Sequence, residues 1–442
     1  MTNGLVIGAG PAGLMAAREL ARAGLRVTVA EAKPSVGRKF LMAGKSGLNL
    51  TKAEPFADFL RAYGTKAKVL CPMLEAFGPD AVQDWARGHG QEVFTGSTGR
   101  VFPQAMKASP LLREFLNELR GLGVKIQTRW RWIGGLHEAV FDTPEGPRTV
   151  VADVTVLACG GASWARLGSD GKWVAQLPPE VLEPFRPANM GFDVDWSEHM
   201  ARHFGGAVKG VELRAGDMRS RGEFIITSNG LEGGGIYEIS AALRDGGPLS
   251  LDLLPDLDES QIRERLARTK PRDSLPNRLR KALRLEPVKR ALVMEFGRDA
   301  TDLPHILKHL PIPLTGPRPM DEAISTAGGV RFEALDSGLM LRDRPGVFAA
   351  GEMLDWEGPD GRLPANRLFR NGFLGRSARG PLRICPRHSA ARLTACPRVQ
   401  RVHCVRGLCT QFWGTGRAAR LTVRGRAIDG PSVALYGGQI WG

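Results

Sequence analysis

Near its start the chain carries Gly8-x-Gly10-x-x-Gly13, with Ala9, Pro11 and Ala12 filling the turn, and an acid further on at Glu31. These residue types at this spacing suit the phosphates of a dinucleotide. Glycine permits a tight turn and close backbone approach, so the free N–H groups and positive dipole end of the following helix can meet a pyrophosphate. A carboxylate about twenty residues on accepts hydrogen bonds from ribose hydroxyls. Such a motif is weak alone and gains weight only from the elements around it.

Those elements fall in register. Leu5-Val6-Ile7 reads as a buried parallel strand ending on Gly8. Pro11 suits the first turn of a helix, Leu14, Ala17, Leu20 and Ala21 recur at helical spacing, and Gly24 predicts the stop. Leu25, Val27 and Val29 then alternate as a second strand that delivers Glu31. A Rossmann-type unit is expected, but its fingerprint does not distinguish FAD from NAD.

Three further segments do. Gly37-Arg38-Lys39-Phe40 leads to Gly44-Lys45-Ser46-Gly47-Leu48-Asn49-Leu50-Thr51. Gly99-Arg100-Val101-Phe102-Pro103 is followed by Lys107-Ala108, and Val156-Leu157-Ala158-Cys159-Gly160-Gly161 is a strand running into a glycine turn. Later come Ala327-Gly328-Gly329-Val330 and Gly346-Val347-Phe348-Ala349-Ala350-Gly351-Glu352-Met353-Leu354-Asp355. In this order the set resembles the BaiN/RdsA-type NAD(P)/FAD-dependent oxidoreductases, an aminoacetone oxidase-like flavoprotein family, from residue 1 to about residue 361.

The resemblance implies an α/β fold with a glutathione-reductase-like, Rossmann-type FAD-binding domain. It implies FAD held by Gly8, Ala9, Gly10, Pro11, Ala12, Gly13 and Glu31, by Arg38, Lys39, Ser46 and Asn49, by Ala158, Gly160 and Gly161, and by Gly351 and Glu352. Gly351 would let the backbone pass close to the ribityl chain, and Glu352 would accept a hydroxyl or order waters. The activity implied is hydride transfer between flavin and a nicotinamide or a small organic substrate, an unsaturated carbonyl compound or an amine. NAD(P)H is the candidate electron donor, although no second dinucleotide fingerprint identifies it. One departure stands out: Ser46-Gly47-Leu48-Asn49 replaces the family's Gly-Arg-Cys-Asn. No role carries over for the missing arginine and cysteine, and no catalytic side chain is assigned.

Length and pattern place the other parts. At 442 residues two or three domains are expected. The FAD-binding domain should be discontinuous, over 1–186 and 325–361. A β-rich insertion is expected at 187–255 and 315–324, where Phe192–Asp195 and Glu223–Thr227 alternate as strands and Gly233-Gly234-Gly235 precedes a helical stretch. That glycine run resembles the family's glycine-rich turn before a helix, which implies a wall of the substrate pocket; a structural turn is an equal reading. A helical insertion is expected over 256–314, its charges a solvated face rather than a nucleic-acid surface. No metal set is expected. His305 and His309 are four apart but lack the acid of an HExxH pattern, and Cys385, Cys396, His403, Cys404 and Cys409 form no CxxC pair.

The net charge of +15 belongs to one end. Residues 362–442 hold 15 Arg, no Lys and a single acid, Asp429, so residues 1–361 carry 46 basic and 45 acidic residues, a net charge of +1. One permitted back-translation of 362–376, read one base later, spells Ala-Tyr-Leu-Leu-Thr-Ala-Cys-Phe-Ala-Thr-Gly-Phe-Leu-Ala, which is similar to the helix the family places after Gly361. The segment 362–442 is therefore expected to be an out-of-frame, unordered tail that impairs activity; a basic RNA-binding tail is the alternative. The function expected is that of an FAD-dependent oxidoreductase, with a flavin-free pseudoenzyme or a nucleic-acid-binding protein as alternatives. With no long apolar run and no leader-like start, a cytoplasmic chain acting on a small molecule, with neither membrane nor nucleic acid as partner, is expected.

Overall fold

The computed structural model describes residues 1–357 except 45, 46, 97 and 271, together with the strands Cys404–Val405 and Leu408–Cys409. These two strands pair antiparallel. The expectations for Ser46 and for the rest of 362–442 lie outside the described residues.

A five-stranded parallel sheet positions the fingerprint. Its order is Val347–Ala349, Val154–Leu157, Asn3–Ile7, Arg26–Glu31 and Lys125–Thr128. The central strands are apolar on both faces because helices and a meander cover them: Leu5, Val6, Val29 and Val156 are fully buried. Each such side chain stabilises the fold by about 1.5–3 kcal/mol. The helix Pro11–Arg22 packs Leu14, Ala17 and Leu20 on this sheet. It ends before Gly24, whose φ of +86° is the left-handed stop that glycine supplies. Arg18 and Arg22 fasten its outer side to Glu118 on the helix Ala108–Gly121, at 2.8 and 2.7 Å.

A three-stranded meander, Arg131–Gly134, Glu138–Asp142 and Arg148–Val151, precedes the strand Val154–Leu157. The chain then leaves along Leu182–Ala188 and returns along Ser325–Val330, which pair antiparallel. Between them lies a seven-stranded sheet in the order Leu310–Ile312, Leu249–Asp252, Ala207–Ala215, Met218–Ile226, Gly230–Glu232, Phe192–Asp193 and Gly316–Pro317. Its apolar face is covered by the helix Gly234–Arg244 and by helices between Glu259 and Lys308. Leu310–Ile312, read from sequence with the helical stretch, is an edge strand here because Leu310 and Ile312 alternate inward about an exposed Pro311. Among the described residues no helix is long and apolar enough to cross a membrane.

Candidate functional site

The carboxyl ends of the parallel strands open into a cleft of about 330 Å3. The turn from Gly8 to Ala12 forms one wall. Gly8 has φ +105°, and a Cβ there would lie 2.2 Å from the Ala158 carbonyl oxygen; at Gly13 it would lie 1.9 Å from the Gly8 oxygen. Both glycines exist for packing. Gly10 differs: a Cβ there meets nothing within 4 Å, so its empty side is the cleft itself. The helix that follows has no side-chain cap, which leaves first-turn N–H groups for an anion.

Glu31 ends its strand inside the cleft. Its Oε2 accepts from Ala9 N–H at 2.9 Å and its Oε1 from Lys33 N–H at 2.8 Å. The carboxylate thus holds the glycine turn as well as facing the ligand, a structural duty the sequence pattern does not reveal. Burial pushes its carboxyl above the ordinary value, and the N–H donors of Lys33 and Ala9 offset only part of that rise. Two ribose hydroxyls would add the donors this desolvated group lacks. Behind it, burial and the Glu31 charge push the Cys159 thiol up to about 12, so it remains a neutral thiol.

At the other end Lys39 Nζ donates to both carboxylate oxygens of Glu352 and to Ser163 Oγ, each at 2.8 Å. The Glu352 side chain is 5% exposed and that of Lys39 26%, so the carboxylate is buried while the lysine still meets solvent. Arg38, also at the cleft, donates to Ser35 Oγ at 3.2 Å.

Of the residues singled out from sequence, Gly8, Ala9, Gly10, Pro11, Ala12, Glu31, Arg38, Lys39, Ala158, Gly160 and Glu352 line this one cleft. Gly13, Gly161 and Gly351 do not line it. Gly351, expected to clear the ribityl chain, has φ +79° and a would-be Cβ 2.6 Å from Ala12 Cβ, so its bareness serves helix packing. Gly161 is bare because a Cβ would meet Thr326 Oγ1 at 1.9 Å. Asn49 does not line the cleft. The sequence reading missed Lys33, Trp130, Trp132 and Ser169, which do; the two tryptophans flanking Arg131 after a strand were the available signal.

FAD fits these residues. The open side of Gly10, the uncapped helix start and the under-supplied Glu31 carboxylate match a pyrophosphate and a ribose. Ser169 Oγ, buried at the cleft, has no hydrogen-bond partner among the described residues, as a group meant for a ligand would.

Comparison with known proteins agrees. Residues 2–367 match the family described as HI0933-like protein Rossmann domain. The 3-dehydro-bile acid delta(4,6)-reductase of Clostridium scindens is 27% identical over 84% of this chain and 98% of the relative. The ribosomal RNA dihydrouridine synthase of Escherichia coli is 26% identical over 80% of this chain and 92% of that one. Among solved structures, a 3-ketosteroid-delta4-(5alpha)-dehydrogenase from Rhodococcus jostii is 18% identical with a TM-score of 0.43, covering 85% of this chain and 95% of that chain. An open flavocytochrome c3 fumarate reductase is 18% identical with a TM-score of 0.46, covering 85% and 77%. The chain belongs to the HI0933-like family of BaiN/RdsA-type flavoproteins, and its fold is their Rossmann-type FAD-binding fold.

Proposed function

We propose that this chain is an FAD-dependent oxidoreductase acting on a carbon–carbon double bond conjugated to a carbonyl group, with NAD(P)H as electron donor. The observation that carries the cofactor half is the cleft beside Gly10 and Glu31. FAD bound there supplies two-electron hydride chemistry. The protein's part is binding and orientation: the turn Gly8–Ala12 for the pyrophosphate, Glu31 for a ribose, and the Lys39–Glu352 pair for the chain beyond.

The substrate half rests on the two relatives. A 3-oxo bile acid with Δ4,6 unsaturation and a uridine share one reactive group, a C=C bond in conjugation with a carbonyl. An amine, the other class the resemblance implies, has no such support. The test is NAD(P)H oxidation by the FAD-loaded chain on adding a 3-oxo-4-ene steroid or uridine as electron acceptor, against bleaching of the bound flavin by an amine with NAD(P)H left out. Flavin reduction by the amine, with no NAD(P)H oxidation by either unsaturated carbonyl, would sink the reading.

A second reading, a pyrimidine held within RNA, is favoured by one basic hollow. Arg265, Arg268, Lys270, Lys281 and Arg284 line it with a single acid, Asp273. Salt-dependent RNA binding lost on reversing Arg265 and Arg284 to glutamate would support it. The impairment read from 362–442 belongs to this proposal too. Resequencing the gene across codons 355–380 tests it, since an unbroken present frame with tight FAD binding would remove the frameshift idea.

A further inference from the structure

Away from the nucleotide cleft, three ligand-type side chains converge. Glu259 opens the helix Glu259–Ala267, which Asp258 and Gln261 cap reciprocally. His305 lies in the helix Leu303–Lys308, capped by Asp302, and His309 ends it, its N–H bonded to the His305 oxygen at 2.9 Å. The two rings stand 4.7 Å apart, tilted by 31°. His305 Nδ1 is 3.0 Å from Glu259 Oε1, and one ligand atom from each of the three residues lies within 4.8 Å of the others. Ile262, Leu266 and Leu307 bury the inner sides of both helices, so the backbone carrying the three groups is fixed. None of the three lines the nucleotide cleft.

We propose that Glu259, His305 and His309 bind a divalent late transition metal, zinc or nickel by ligand type, which clips the start of the helix Glu259–Ala267 to the helix Leu303–Lys308. Two imidazoles and a carboxylate are a zinc donor set, whereas magnesium and calcium want oxygen alone. The 3.0 Å edge between His305 and Glu259 can be spanned by two metal bonds of about 2.0–2.1 Å. The exposed imidazoles need only side-chain rotation to bring His309 in.

The surrounding charges accept a dication. Arg214 approaches His309 Nδ1 at 3.2 Å and competes for that nitrogen, but it is itself held by Glu212 and Asp252. Lys308 pairs with Asp252, and Arg263 with Asp302. Glu259, Glu212, Asp252 and Asp302 therefore face Arg214, Lys308 and Arg263. His305 and His309 have the four-residue spacing of HExxH, and the carboxylate beside them comes from a separate helix.

The full chain, stripped with chelator, is titrated with Zn2+ or Ni2+ by calorimetry at pH 7. Cysteines elsewhere also take soft metals, so the site is defined as the binding lost on histidine substitution. One equivalent is expected at micromolar concentration, weakened at least tenfold in His305→Ala and in His309→Ala, less in Glu259→Gln, and unchanged in His199→Ala, an exposed histidine outside the cluster. The exposed substitutions leave the fold intact, which circular dichroism checks, and zinc should raise the unfolding midpoint of the parent but not of the double histidine variant. Equal affinity in parent and histidine variants, or no one-to-one binding by the parent, overturns the site.

Discussion

Among the described helices that begin on glycine with no side-chain cap, two make an instructive pair: Pro11–Arg22 after Gly10, and Gly234–Arg244 after Gly233. Each is led by three glycines, and in each the three do different work. At the first, Gly8 and Gly13 are pressed against backbone while Gly10 opens on empty space. At the second, Gly233 needs φ +109°, and a Cβ on Gly235 would lie 2.9 Å from the Glu223 oxygen and from Leu213 Cδ1. Only Gly234 is loosely placed, with the tip of the flexible Arg100 side chain 3.2 Å from its would-be Cβ. A glycine-rich turn is thus not one signal but two, a packing requirement and a clearance, and only clearance speaks of a ligand. The difference is that Gly10 clears a cleft with a carboxylate waiting in it, whereas Gly234 clears a side chain.

The largest effect that would break this comparison is at Gly13. Gly13→Val should leave no cooperatively folded chain, a loss beyond about 4 kcal/mol, because the clash is with the Gly8 carbonyl rather than a movable side chain. Thermal unfolding by circular dichroism measures it. Gly10→Val should fold within about 1 kcal/mol of the parent yet lose flavin affinity at least a hundredfold, read as visible flavin absorbance surviving desalting. A yellow Gly10→Val protein would mean that this turn does not hold the pyrophosphate.

At the second helix the separation is smaller. Gly235→Ala should cost about 1–3 kcal/mol in urea unfolding and Gly234→Ala less than about 1 kcal/mol, with flavin occupancy unchanged in both. Equal costs would show that the two positions are not distinct in kind. The smallest effect concerns the far end of the first helix. Burial alone would raise Glu118, but hydrogen bonds from Arg18 and His89 and the charges of Arg18 and Arg22 outweigh it and hold its carboxyl below the ordinary value of 4.5. Its stabilisation is complete above that value and is lost as pH falls beneath it through the lower folded value. Urea midpoints between about pH 6 and 3 should fall less steeply in Glu118→Gln than in the parent.

The first unit was legible because everything it needs is local. Strand, turn, helix and acid follow one another within thirty-one residues, each with its own pattern of apolar spacing. What stayed hidden depends on contacts across the chain. Lys33, Trp130 and Ser169 meet in the cleft only because the parallel strand order brings residues 31, 128 and 157 to the same end. Glu31 binding Ala9 N–H, and Gly351 making room for Ala12, are likewise facts of register and packing that no local window contains. Leu310–Ile312 followed a helix closely enough to be counted with it, and its pairing with Leu249–Asp252 is what makes it a strand.

The edge strand Val347–Ala349 pairs with Val154–Leu157 across the long excursion through the seven-stranded sheet. On a ribosome, the first four strands of the parallel sheet emerge and wait while that entire excursion is made. Until then Val154–Leu157 exposes an unpaired apolar edge, an invitation to wrong partners. Contacts so distant in sequence also form slowly. The antiparallel tie of Leu182–Ala188 to Ser325–Val330 shortens that wait, because once it closes, only residues 331–346 separate it from the last strand. The order of birth therefore makes the nucleotide fold, first to begin, the last to be finished.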